Sequence, residues 1–193
     1  MAELEQDRDL RELVLADEEA YQGKLLKVRR LTVQLPNGRV SHREMIRHPG
    51  AAAMIALDAD GCIVLERQWR APLDRAFWEI PAGKIDPGET PFDCARRELV
   101  EEAGVKAGRW VYLGTMHNAI GYSNERIAVY LAQDLVPVDR HLDDNEFINL
   151  KRLPWQSALA MTRDGSITDV KTIIALGWLE SFLAGTLAQA EQC

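Results

Sequence analysis

The chain has 193 residues, 47% of them hydrophobic, which is enough to bury the core of one domain with an appendage. Its net charge of -7 argues against a nucleic-acid backbone as the main partner, because phosphate contacts need clustered Lys and Arg. No apolar run approaches the length of a membrane span, and the N-terminal residues lack the basic and apolar regions of a signal peptide. We therefore expect a cytoplasmic protein with no membrane or nucleic-acid partner. The cysteines have neither metal-binding nor redox spacing, and we assign them no chemistry.

The first part of the chain is predicted to form a small β unit. Residues 1–20 are highly charged and are expected to form a loose or short helical arm. Residues 24–35 and 39–47 are rich in strand-forming side chains, and Asn37-Gly38 between them is a strong hairpin signal. Such a unit is too thin to hold a core alone, so it must pack on the main domain or on another subunit.

The boundary is predicted at Pro49-Gly50, which gives an N-terminal β subdomain at residues 1–48 and a main domain at residues 49–193. In the main domain, two apolar runs are expected to pair as a hairpin across a turn at residues 58–61. These two runs are residues 51–57 and 62–69, further strands are predicted at residues 76–80, 110–116, 126–131 and 148–153, and helices at residues 154–163 and 168–187.

One helix carries the candidate site. Thr90 is a suitable N-cap, Pro91 fits the first helical position, and Asp93 in the first turn complements the helix dipole. Gly104 suits the left-handed position that ends a helix. Apolar residues recur between these ends at helical spacing, which predicts a helix with one buried face.

Three carboxylates share another face of this helix, because Glu98, Glu101 and Glu102 stand at i, i+3 and i+4. Like charges placed together repel unless a cation lies among them, and carboxylate oxygens suit Mg²⁺. Arg97 lies on the neighbouring face, where it could hold Glu89 and fasten the preceding loop to the helix. Acidic triplets on helices are commonly only solvated, so the triplet alone leaves both interpretations open.

The spacing around the helix is more specific than the triplet. A Gly is followed after five residues by a Glu, and after seven more by Arg-Glu-aliphatic-any-Glu-Glu-any-Gly-aliphatic. This pattern resembles the signature sequence of the Nudix hydrolases. The fixed positions are filled without departure by Gly83, Glu89, Arg97, Glu98, Leu99, Glu101, Glu102, Gly104 and Val105.

The resemblance implies an α/β fold of the α+β type, an α/β/α sandwich with a mixed β-sheet. It also implies Mg²⁺-dependent hydrolysis of a nucleoside diphosphate linked to another group, with Mn²⁺ as an alternative ion. By the same resemblance, Glu98 and Glu102 are the principal metal ligands, with Glu101 and the carbonyl of Ala82 as further ligands. The structural residues it implies are Gly83, Glu89 and Arg97.

Two segments before the helix resemble the ADP-ribose pyrophosphatase branch of the family. They are residues 66–70, Glu-Arg-Gln-Trp-Arg, and residues 78–83, Trp-Glu-Ile-Pro-Ala-Gly. Arg70 would then contact the diphosphate or ribose through bidentate, permanently charged donors, although a solvated arginine at a strand end is equally compatible. Glu79 could accept hydrogen bonds from ribose hydroxyls. We expect Glu66 and its neighbour Arg67 to be solvated.

The hydrolysis also needs a base that takes a proton from water, unless metal coordination suffices. Residues 142–148 resemble the acidic loop that supplies this glutamate in the branch. Glu146 is the first candidate and Asp144 the second, and a solvated acidic loop is the alternative.

One departure concerns the substrate. Branch members commonly carry a proline in the loop after the signature, and this chain has Ile120 in its place. We predict cleavage of a nucleotide sugar, ADP-ribose to AMP and ribose 5-phosphate, with GDP-mannose as an alternative substrate. A catalytically silent nucleotide sensor and a decapping or nucleotide-cleansing enzyme are the rival functions. The thin N-terminal unit, together with the resemblance, predicts a homodimer.

Overall fold

The computed structural model describes residues 7, 9–142 and 146–193, and the strands and helices below are those of this part of the chain. The helices are α1 (Pro91–Ala103), α2 (Trp155–Arg163) and α3 (Val170–Leu183), with a short 3-10 turn at Ala71–Leu73. No helix among these residues is both long and apolar enough to span a membrane. The strands are β1 (Leu13–Gln22), β2 (Lys27–Gln34), β3 (Val40–Ile46), β4 (Ala51–Ala56), β5 (Cys62–Arg70), β6 (Arg75–Glu79), β7 (Ala82–Lys84), β8 (Val105–His117), β9 (Arg126–Pro137), β10 (Ile148–Pro154) and β11 (Glu191–Gln192).

The chain divides into two units. The first unit is the chain up to Pro49 together with His117–Glu125, and the second is Gly50–Met116 with Arg126–Cys193. The division after Pro49 lies beside the boundary drawn from the sequence. The segment His117–Glu125 was assigned to the main domain and instead groups with the first unit.

The first unit is an antiparallel sheet of order β1-β2-β3. The loose or short helical arm predicted for residues 1–20 is wrong from Leu13 onward, because that stretch forms strand β1. Acidic residues of β1 pair with basic residues of β2: Asp17 contacts Arg29 at 2.7 Å, and Glu18 contacts Arg30 at 2.8 Å. These cross-strand pairs favour a strand that local composition does not reveal.

The second unit contains a five-stranded sheet of order β11-β8-β9-β4-β7. Strand β4 runs parallel to β9 and antiparallel to β7, so the sheet is mixed. A separate antiparallel sheet has the order β10-β5-β6.

Strand β4 is buried on both faces, and its alternating residues separate two cores. On one face Ala52, Met54 and Ala56 pack with α1 residues such as Leu99. On the other face Ala53 and Ile55 belong to the core that also holds Ala158 of α2 and Ala175, Leu176 and Leu179 of α3. Helices therefore cover both faces of the sheet, which confirms the predicted α/β/α sandwich.

The predicted hairpin of β4 and β5 is wrong in its pairing. The turn is present, since the Asp58 carboxylate accepts hydrogen bonds from the backbone N–H groups of Asp60 and Cys62 at 2.9 Å each. Within the described residues, a single Leu57–Ile63 bridge joins the two segments. Both edges of β4 are occupied by β7 and β9, so β5 pairs with β6 and β10 instead.

Candidate active site

Helix α1 begins and ends as its sequence predicts. The Thr90 hydroxyl accepts a hydrogen bond from the backbone N–H of Asp93 at 3.1 Å and donates one to the Asp93 carboxylate at 2.7 Å. Gly104 ends the helix with φ of 65°, and its N–H reaches the carbonyls of Leu99 and Val100. These ends fix the helix on which the three glutamates lie.

Arg97 joins the loop to the helix. Its Nε and Nη2 donate to the two oxygens of Glu89 at 2.7 and 2.9 Å, and Nη2 also donates to the carbonyl of Lys84 at 3.2 Å. The backbone N–H of Asp86 donates to Glu89 at 3.0 Å. The hydrogen bonds from Arg97, then the one from Asp86, lower the pKa of Glu89 to about 2. The loop is thus held against α1 by a bidentate ion pair.

The same guanidinium also engages two predicted ligands. Arg97 Nη1 lies 2.8 Å from Glu98 Oε1 and 2.9 Å from Glu101 Oε2. Burial raises the pKa of Glu98, and repulsion from Glu101 and Glu146 adds to it, against the opposing effect of Arg97. A Cβ atom on Gly83 would overlap the Glu98 carboxylate, so glycine leaves the carboxylate the space that it occupies here.

Glu102 is the most buried of the three, with 3% of its surface exposed. Its Oε2 accepts a hydrogen bond from the backbone N–H of Ala82 at 2.8 Å, which brings together two predicted ligand residues from different elements. Burial raises the pKa of Glu102 to about 9, and the next contributions are repulsion from Glu66 and Glu98. Several carboxylates therefore act on one another here.

Glu146, the first candidate base, belongs to this group. The residue is half-buried, and its charge contributes to the raised pKa values of Glu66, Glu98 and Glu102. Asp144, the second candidate, lies outside the described residues.

The two predicted substrate residues contact each other. Arg70 donates from Nε and Nη2 to the two oxygens of Glu79, each at 2.7 Å. Lys171 of α3 also donates to Glu79, and to Asp169 at 3.1 Å. Burial acts to raise the pKa of Glu79, but the hydrogen bonds and charges of Arg70 and Lys171 outweigh it and lower that pKa. Glu79 is 3% exposed and is fully occupied by these partners.

Lys171 was missed by the sequence interpretation. A single lysine at the start of the apolar helix α3 was the available signal, because a buried lysine requires a partner. The next residue, Thr172, accepts a hydrogen bond from the backbone N–H of Ile80 at 2.9 Å. Helix α3 thereby fixes the strand end that leads to Ala82.

The structure corrects the exposure predicted for Glu66. It was expected to be solvated, yet only 1% of its surface is exposed, because it follows directly on the buried run of β5. Burial raises its pKa to about 8, opposed by the charge of Lys171 and reinforced by that of Glu79. Arg67 is exposed as predicted, with its guanidinium 5.5 Å from the ring centre of Trp78.

The donor set suits a hard divalent cation. Carboxylate oxygens and a backbone carbonyl are the ligands that Mg²⁺ prefers. Burial raises the pKa values of Glu66 and Glu102, and repulsion from neighbouring carboxylates adds to the rise. In residues 7, 9–142 and 146–193, no three His, Cys, Asp or Glu side chains are arranged to hold a metal ion in this conformation. Arg97 and the N–H of Ala82 occupy oxygens of the three helix glutamates.

The protein thus combines an α/β/α sandwich, a loop with Gly83, the Arg97–Glu89 ion pair and a helix that bears three glutamates. These features define a class of proteins whose site is formed by oxygen donors. The NUDIX domain profile matches residues 46–173, and the chain belongs to the Nudix family. The family predicted from the signature sequence is confirmed.

Named relatives extend over most of the chain. An ADP-ribose pyrophosphatase of Bacillus subtilis is 35% identical over 175 residues, which cover 90% of this chain and 95% of the relative. A methanol dehydrogenase activator of Bacillus methanolicus is 37% identical over 171 residues, covering 88% and 92%. The crystal structure of an ADP compounds hydrolase superposes with a TM-score of 0.81 at 25% identity, covering 91% of this chain and 96% of that one.

Proposed function

We propose that this protein is a Mg²⁺-dependent Nudix hydrolase that cleaves the diphosphate of a nucleotide sugar, ADP-ribose giving AMP and ribose 5-phosphate. One observation carries the proposal: Glu102 is buried against Ala82 among further carboxylates, on the helix that bears the complete family signature. Relatives named ADP-ribose pyrophosphatase and ADP compounds hydrolase support the substrate class.

The proposed cation site comprises Glu98, Glu101, Glu102 and the carbonyl of Ala82. When bound there, Mg²⁺, or Mn²⁺ in its place, neutralises diphosphate charge and makes phosphorus more electrophilic. Gly83 leaves the space that the Glu98 carboxylate occupies. Glu89 and Arg97 keep the loop on the helix.

Glu146 is proposed to take the proton from the attacking water. Its half-buried position and its effect on the pKa values of Glu66, Glu98 and Glu102 support this role. Asp144 stays the second candidate.

Arg70 is proposed to bind the diphosphate or ribose. Its Nε and Nη2 hold Glu79, which leaves Nη1 of a side chain that is 42% exposed to meet the substrate. The contacts of Glu79 favour a role in positioning Arg70. Direct contact between Glu79 and ribose hydroxyls stays a prediction.

The substrate is tested by phosphate release in Mg²⁺, coupled to a phosphatase, from ADP-ribose, GDP-mannose, UDP-glucose, NADH and nucleoside triphosphates. We expect ADP-ribose to be cleaved fastest. Preference for GDP-mannose would show that Ile120, in place of the branch proline, marks another specificity.

A variant addresses the site itself. Glu102→Gln keeps the shape of the side chain and is expected to lower turnover of ADP-ribose at least ~100-fold while the fold stays intact. Unchanged turnover in saturating Mg²⁺ would remove the proposed metal role.

A nucleotide-binding regulator is the second candidate. The relative named methanol dehydrogenase activator is similar over most of the chain, and its name concerns an action on another protein. Failure of every substrate in the panel, with nucleotide binding retained, would favour this function.

A homodimer formed through the β subdomain at residues 1–48 is also proposed. Strand β1 exposes Leu13, Val14 and Leu15, which is apolar surface that a second copy could cover. A cytoplasmic location stays a prediction from the sequence.

A further inference from the structure

Glu66 is a buried carboxylate that the proposed mechanism does not use. It lies in the middle of strand β5, opposite Glu79 of β6, and is 1% exposed. No described residue forms a hydrogen bond with its buried Oε2. A buried acceptor without a donor is costly, so this oxygen needs another partner.

The nearby cations are already engaged. Glu79 accepts hydrogen bonds from both Arg70 and Lys171, and Lys171 also contacts Asp169. These ion pairs neutralise the charges of Glu79 and Asp169. The charges of Lys171 and Arg70 compensate that of Glu66 only in part.

Glu66 lies close in the fold to the proposed cation site. It is opposite Glu79 in the β5–β6 register, and three residues after Glu79 the backbone N–H of Ala82 donates to Glu102 at 2.8 Å. Among neighbouring charges, Glu66 contributes most to the raised pKa of Glu102, ahead of Glu98 and Glu146. The charge of Glu66, which is 1% exposed, therefore disfavours the charged form of Glu102, which is 3% exposed. A bound cation would satisfy the free oxygen of Glu66 and remove this repulsion.

We propose that Glu66 is an additional carboxylate ligand of the divalent cation, supplied by strand β5 from outside the signature sequence. This inference rests on the proposed function, because it assigns Glu66 to the cation site built on Glu102. The site then draws its acidic ligands from a strand as well as from the helix.

The test measures binding of Mn²⁺ alone to metal-free protein, by electron paramagnetic resonance of the free ion, with no substrate present. Glu66→Gln removes the charge and keeps the shape, and Glu66→Val replaces the side chain by an apolar one suited to a strand. We expect both variants to bind Mn²⁺ at least ~10-fold more weakly than the unmodified protein. The melting temperature of the metal-free protein should stay the same or rise, because folding no longer buries a carboxyl group that is charged in the unfolded chain.

Two further variants separate the possible failures. Glu180→Gln changes a glutamate whose surface ion pair with Arg163 is remote in sequence from the signature, and should bind Mn²⁺ normally. If Glu102→Gln also binds normally, the proposed metal site itself is wrong. If Glu102→Gln binds weakly while both Glu66 variants bind normally, only the role of Glu66 is overturned. Loss of folding in both Glu66 variants would likewise overturn it, because Glu66 would then be a structural partner of Lys171.

Discussion

Glu79 shows how one buried carboxylate can organise several elements. It lies at the end of β6 and receives Arg70 from β5 and Lys171 from α3. Its side chain is 4% exposed and that of Lys171 10%, so solvent screens their interaction little. The pair connects α3 to the strand that precedes Ala82.

Lys171→Met tests this connection at the residue scale. Removal of the ammonium leaves a buried carboxylate with one fewer cation, and we expect the free energy of unfolding to fall by about 3 kcal/mol. Urea unfolding followed by tryptophan fluorescence measures it, since all five Trp residues lie in the second unit.

The matched control is Arg163→Met. Its ion pair with Glu180 joins side chains that are 66% and 49% exposed, and its removal should cost less than about 1 kcal/mol. Equal losses in the two variants would show that burial does not strengthen the Lys171–Glu79 pair.

The residues that sequence could predict are those that share a helix or a fixed spacing. Glu98, Glu101 and Glu102 follow from helical periodicity alone, and Arg97 with Glu89 from the signature. Glu66 and Lys171 escape such reasoning, because their importance depends on burial between segments that are distant in sequence.

At the scale of elements, the loop that carries Gly83 must approach the side chains of α1 closely. Gly83→Ala is expected to displace the Glu98 carboxylate, because the new Cβ overlaps it. We expect about 100-fold lower turnover, as for small misplacements of catalytic groups, with secondary structure unchanged by circular dichroism.

Gly177→Ala is the control for this change. Gly177 lies inside α3, and a Cβ there meets nothing within 4 Å. The substitution should stabilise the protein by about 0.5–1 kcal/mol without loss of turnover. Full activity in Gly83→Ala would mean that Glu98 can move freely without affecting catalysis.

The ion pair of Glu89 with Arg97 should make the free energy of unfolding depend on pH in the acid range. The folded-state pKa of Glu89 is about 2, below its ordinary value, so the ion pair stabilises the protein above the ordinary pKa. This contribution is lost as pH falls toward 2. Glu89→Gln should therefore be less stable by about 1 kcal/mol at pH 7, with the difference vanishing at low pH.

Urea unfolding at a series of pH values between 7 and 2 measures this dependence. The curve of the control variant Glu180→Gln should run parallel to that of the unmodified protein. A constant difference between Glu89→Gln and the unmodified protein at every pH would contradict the role assigned to the Glu89 charge.

The sequence predicts single helices and strands better than it predicts which strands pair with one another. Helix α1 has local caps at Thr90 and Gly104, so its ends could be predicted from the sequence. The pairing of β4 could not, because its neighbours β7 and β9 come from later in the chain and exclude β5 from its edges. Strand β1 likewise depends on charges in β2.

For the whole molecule, the proposed dimer is tested with Val14→Asp. Val14 of β1 is 58% exposed, and a charge there should weaken association at least ~10-fold if this surface is covered by a second copy. Light scattering coupled to size exclusion should show a mass near twice 21.7 kDa for the unmodified protein and a shift toward the monomer for the variant.

Val136→Asp is the matched control, because Val136 is 59% exposed but belongs to the second unit. Its mass should not change. A monomeric unmodified protein would remove the dimer proposal, and dissociation by Val136→Asp alone would assign the interface to the other unit.

The segment His117–Glu125 has a consequence for biosynthesis. Ile46 pairs with Ser123 in a parallel bridge, and its N–H donates to the Tyr122 carbonyl at 2.7 Å. The first unit therefore stays incomplete on the ribosome until the chain has been translated beyond β8, and such long-range closure slows folding. The N-terminal unit therefore cannot be removed by deleting the start of the coding sequence alone. The segment His117–Glu125 would remain in the shortened protein without the strands that it contacts.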